Sequence, residues 1–84
     1  MTARLNAVGD RLEVEVVESE NGMIGPFWVV TPSETVYFGR EGKRIARETL
    51  CVGDLLRICF GGQVMMSYPP QIVAKEIRLL DGWR

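Results

Sequence analysis

The sequence predicts an all-β domain, and three observations predict it. Over residues 11–18, RLEVEVVE, apolar and polar residues alternate with the period of two that marks a strand with one wet face. Short runs rich in valine, isoleucine and aromatic residues recur along the chain, each bounded by glycine or proline. Before residue 70 only the segment 44–50, RIARETL, leans towards helix, and seven residues hold no helix without tertiary support. With 84 residues, 46% hydrophobic and 25% charged, the chain makes one globular domain, 1–84, with no linker or repeat inside it.

The first strand is 11–18, with Leu12, Val14 and Val16 on one face and Glu13 and Glu15 on the other. Residues 19–26, SENGMIGP, end it, because Asn21-Gly22 and Gly25-Pro26 supply the backbone freedom and the fixed dihedral of turns. Residues 27–31, FWVVT, are apolar on both faces and read as a second strand, covered on both sides or set in a barrel wall. Pro32 breaks the ladder, and residues 35–39, TVYFG, resume strand character as the third. A polar turn at 40–43 leads to Ile45 and Leu50, the anchors of either a single helical turn or a short RIA strand.

Residues 50–60, LCVGDLLRICF, turn at Gly53-Asp54 and open into a strand with Leu56, Ile58 and Phe60 on one face. Gly61-Gly62 closes it, and the QVMMSYPP that follows reads as an extended, partly polyproline-II loop. The prolines hold the chain extended into residues 71–80, QIVAKEIRLL, which makes this a strand rather than a helix. Val73, Ile77 and Leu79 are its inward face, with a bulge to accommodate Lys75. Five strands with a short irregular insert after the third give a small OB-like Greek-key barrel, with an SH3-like barrel as the alternative. The expected ordered barrel spans about residues 10–81, with 1–9 and 82–84 as loosely held tails.

The composition excludes several chemistries. The chain has no histidine, and so lacks the commonest general base near neutral pH and the commonest metal ligand. Cys51 and Cys59 are too few for a disulfide framework or a four-cysteine zinc site, and their spacing is no redox motif; they pack as thiols or pair if the barrel brings them close. Glu13, Glu15 and Glu18 read as the wet side of a strand, and Gly61-Gly62 lacks the residues of a phosphate loop. The expectation is no enzyme, no cofactor and no metal. No run reaches the roughly 18 apolar residues of a membrane span, and the start lacks a secretory pattern, which points to the cytoplasm.

Within residues 35–80, the glycine-aspartate turn, the alternating strand, a Ser-Tyr-Pro-x-Gln segment and an Ala-x-x-Ile pattern resemble the small bacterial YobA-like domains of unknown function. The matching positions are Gly53, Asp54, Gly62, Val64, Ser67, Tyr68, Pro69, Gln71, Ala74 and Ile77. The resemblance implies an OB-like barrel with no assigned activity. Several such relatives are exported lipoproteins, so export is the alternative location if a leader has been removed.

Two surfaces are candidates for function. The first is the loop carrying Met65, Met66, Tyr68, Pro69, Pro70 and Gln71, where an aromatic face, an amide and adaptable methionines are held by prolines. It suits a protein or a small polar ligand, and the competing reading makes Tyr68 a cap over one barrel end. The second is Arg40, Lys43, Arg44 and Arg47 following Tyr37, an arrangement of cations and an aromatic that single-stranded nucleic acid uses. Residues 1–34 carry two bases against six acids and 35–57 five against three, so the charge is segregated although the whole chain sums to −1. Trp28 belongs to the core or the outer wall, and Trp83 to a fold-back contact or a dimer surface; a purely structural or oligomer-forming barrel is the third reading.

Overall fold

The computed structural model describes residues 1–82, so the contact expected of Trp83 lies outside the described residues. Six strands run in chain order: β1 (Thr2–Val8), β2 (Arg11–Glu18), β3 (Gly25–Val30), β4 (Val36–Phe38), β5 (Leu55–Phe60) and β6 (Gln71–Asp81). A 3-10 turn, Arg47–Thr49, lies between β4 and β5. The sheet order is β3-β2-β1-β5-β6-β4, and a further pairing of β3 with β6 closes five of these strands into a barrel. The protein is all-β, a small OB-like barrel, with β4 attached to the free edge of β6. None of its described helices is long and apolar enough to cross a membrane.

The fifth barrel strand is not the one expected. Residues 1–9 are no tail: β1 pairs with β2 on one side and β5 on the other, and Ala3 and Leu5 are fully buried. The sequence signal is weak there because alanine has low strand preference and because the register shifts between Leu5 and Ala7, breaking the period of two. Conversely, the run 35–39 yields only the three-residue β4, which pairs in parallel with β6 outside the closed ring. Segment 44–50 combines both earlier alternatives, with an isolated bridge from Arg44 to Phe38 and then the 3-10 turn.

The core forms where the inward faces meet. Leu5, Leu12, Val14, Phe27, Val29, Leu56, Ile58, Ile72 and Ile77 fill the barrel, with Tyr37 and Leu50 from the insert joining them. A bulge does occur at Lys75: Cys59 pairs with Glu76 and Phe60 with Ala74, which leaves Lys75 as the extra residue. Its phase corrects one expectation, since Ile72 and Ala74 point inward before it and Ile77 and Leu79 after it, whereas Val73 is exposed.

The other edge of β6 is shared. β3 takes Gln71 to Val73, β4 takes Glu76 to Arg78, and between them the buried Thr35 hydroxyl donates to the Ala74 carbonyl at 2.8 Å. Buried Asp54 serves the turn before β5: its Oδ2 accepts from the Cys51 N–H at 2.8 Å, while its own carbonyl accepts from Leu5 N–H at 2.9 Å.

These arrangements lead to two expected outcomes. Leu5→Ala should lower the unfolding free energy by about 2–5 kcal/mol, because it empties the barrel, whereas a change in a loose tail would cost less than about 0.5 kcal/mol. Urea titration followed by circular dichroism separates the two. Thr35→Val keeps the side-chain shape but leaves the Ala74 carbonyl without its hydroxyl donor, and should cost about 1–3 kcal/mol, a fall in melting temperature of several degrees.

Candidate interaction surface

The loop between β5 and β6 begins at Gly61-Gly62, where Gly62 has φ of 79° and lets the chain reverse after Phe60. Gly61 lies under the Lys75 side chain, whose Cε would clash with any Cβ at that position. Glycine here lets the bulged lysine lie across the start of the loop.

Beyond this point the backbone is held by its own hydrogen bonds. Met65 N–H donates to the Gln71 carbonyl at 2.8 Å, and Gln71 N–H donates back to the Met65 carbonyl at 3.0 Å. Inside that closed end, Ser67 N–H donates to the Met65 carbonyl and the Ser67 hydroxyl to the Pro69 carbonyl at 2.7 Å. The Tyr68–Pro69 peptide is cis. Trp28 N–H reaches the Pro70 carbonyl at 2.9 Å, which ties the loop's exit to β3.

With the backbone occupied in this way, the side chains at the tip face solvent. Tyr68 is 93% exposed and Met66 85%, and Met65 is also exposed, while Pro69 and Pro70 are half-buried. Tyr68 therefore caps nothing among the described residues. Gln71 is committed: its Oε1 accepts from Arg11 Nη1 at 3.1 Å.

That bond reveals a second part of the surface, which sequence reasoning did not assemble. Arg11 lies over the Trp28 ring, 4.2 Å from its centroid, while Trp28 pairs across the barrel seam with Gln71. Trp28 belongs to the outer wall, since its neighbours Phe27 and Val29 are buried and successive strand residues alternate faces. Because residues 27–30 are apolar on both faces, their sequence leaves the direction of Trp28 open, and nothing in it joins residues 11, 28 and 71.

The basic candidates do not come together as one groove. Tyr37 is 8% exposed, with its ring in the core cluster, so it offers no stacking face. Arg47 turns away to the β1–β2 connection, where Nη2 donates to the Gly9 carbonyl and Nε to the Thr31 hydroxyl at 3.1 Å. Arg40 bridges Asp81 at 3.5 Å. Lys43 and Arg44 remain exposed on the turn after β4, with Arg44 near Phe38.

Cys51 and Cys59 are free thiols. Among the described residues, no three acidic or cysteine side chains gather where a metal could sit. The arrangement offers contact: an apolar and aromatic tip beside a cation–aromatic platform. No family model, no curated protein and no solved structure matches the chain, so its function is read from this geometry.

The two candidate surfaces predict opposite stability effects. Tyr68→Ala should leave the melting temperature within about 2 °C of the parent, as expected for an exposed residue, whereas Arg47→Ala should lower it by several degrees through lost bonds to Gly9 and Thr31. Differential scanning calorimetry of the two variants makes the comparison.

Proposed function

We propose that the chain is a small binding module whose contact surface is the β5–β6 loop. Met65, Met66, Tyr68, Pro69 and Pro70 form the contact, and the Arg11–Trp28–Gln71 platform lies at its foot. One observation carries this reading: Tyr68 and Met66 project almost fully into solvent from a backbone already fixed by hydrogen bonds. A loop ordered before binding loses little further entropy when it docks, so the exposed apolar area contributes to affinity rather than to ordering. Methionine adapts to an irregular groove, and tyrosine adds a broad face with a hydrogen-bonding tip. These features suit a protein partner with an apolar cleft better than a phosphate chain. The resemblance to YobA-like domains belongs to the same proposal, because the loop holds its most specific segment.

A displayed peptide library selected on the parent protein and counter-selected on the double variant Met66→Ser/Tyr68→Ala tests the proposal. Selected peptides should lose about tenfold or more in affinity on that variant, as at a contact hot spot, and should depend little on salt. Binders that hold the parent and the variant equally would overturn it. Parent-only self-association in sedimentation would make the partner a second copy of the chain.

A further inference from the structure

Around the far half of β6, one row of residues crosses the outer wall of the barrel. Phe38 on β4 stands opposite Arg78 on β6, Arg78 opposite Arg57 on β5, and Arg57 opposite Thr2 on β1. On its other side Phe38 bridges to Arg44. The neighbouring residues Tyr37, Ile77 and Ile58 point into the core, so the row faces out.

The charges in this row are poorly matched. Arg57 and Arg78 are directly opposed like charges, an arrangement that weakens a sheet unless something neutralises it. Among the described residues Arg78 meets one carboxylate, Glu76, through a single nitrogen at 3.4 Å. Arg57 and Arg44 have no ion-pair partner among the described residues. Glu18 lies at the row's end beyond Thr2 and, with Glu20, borders the same surface hollow as Arg57, while Asp81 is engaged by Arg40.

Arg78 is also held in place. Its guanidinium lies 4.8 Å from the Phe38 ring centroid, and that of Arg44 lies 5.8 Å from the same ring. Gly42, with φ of 85°, is the residue of the adjacent turn that faces Arg78 Nη1, and it puts no side chain of its own beside that nitrogen.

We propose that Arg57 and Arg78, with Arg44 beside them, bind a phosphate monoester group. The three guanidiniums outnumber the carboxylates of the row itself, Glu76 and Glu18, and a phosphate monoester, which carries nearly two negative charges at neutral pH, would relieve their repulsion. The planar guanidinium fork is the side chain best suited to paired oxygen acceptors. A nucleic-acid strand fits less well, because the one aromatic ring of the row is already occupied by arginines and offers bases no stacking platform. The site lies roughly 20 Å along β6 from the β5–β6 loop and is independent of that surface.

The test is an NMR titration of the isotopically labelled protein with inorganic phosphate at constant ionic strength, with chloride as the control. Saturating shifts confined to residues 38, 44, 57 and 76–78 are expected, and adenosine monophosphate should reproduce them. Arg57→Gln and Arg78→Gln should each weaken binding about tenfold, and exposed Arg57 can be replaced without disturbing the fold. Shifts that fail to saturate, or that chloride reproduces, would overturn the proposal. Unchanged affinity in folded Arg57→Gln would overturn it as well. Tighter binding of an oligonucleotide without a terminal phosphate would assign the row to phosphodiesters instead.

Discussion

Closure of the barrel through β6 is the constraint on which the rest of the structure depends. An open five-stranded sheet would leave two edges unpaired and one side of a small core uncovered. Here three residue pairs, Trp28 with Gln71, Val29 with Ile72 and Val30 with Val73, join the last strand to the third. The pairing then stops, and β4 takes over the same edge three residues later. A regular strand passing from one partner to another would leave a carbonyl unpaired at the changeover. The bulge at Lys75 re-aims the strand, and the Thr35 hydroxyl supplies the missing donor at Ala74.

The same seam explains why the exposed loop has a definite shape. Its last residue before β6, Pro70, gives its carbonyl to Trp28 of β3, and the Met65–Gln71 pair sits at the first residue of the closing ladder. The loop is thus anchored where the barrel itself is anchored, and opening it at that end would begin to open the barrel. Rigidity in the fold and preorganisation of the proposed contact surface have one cause. The Arg11–Trp28–Gln71 platform follows from it too, since only the parallel pairing of β3 and β6 brings residues 28 and 71 side by side.

What the sequence made legible follows from how far each signal reaches. β2 and β5 were plain because alternation within one strand is local and their inward residues are large. β1 carries only a weak signal because two of its three alternating apolar residues are alanines and a register shift follows Leu5. At Tyr37 and Phe38 the aromatic run showed a strand but not its phase: Tyr37 turned inward, and Phe38 became the ring beneath two arginines. The bulge in β6 was legible from Lys75, yet the side on which Val73 falls depends on the pairing with β3, which is set across the barrel. The loop could be found from its prolines and methionines, but the platform beside it is made by three strands and exists only once the ring closes.

A domain of this size also divides its residues between holding the fold and meeting partners, because its core is too small to make polar fastenings dispensable. Asp54 fastens the turn before β5, Thr35 the changeover on β6, and Arg47 the β1–β2 connection. Each is a polar residue with at least one hydrogen bond to a backbone carbonyl or amide far along the chain or across a tight turn. Arg47 shows how this changes the reading of charge: counted by composition it belongs to a basic surface, but its donors are spent inside the structure. Arg44, Arg57 and Arg78, and the apolar tip of Met66 and Tyr68, make no comparable fastening. Function is therefore sought where side chains are costly or idle for folding, and by that measure the two ends of β6 stand apart from the rest of the surface.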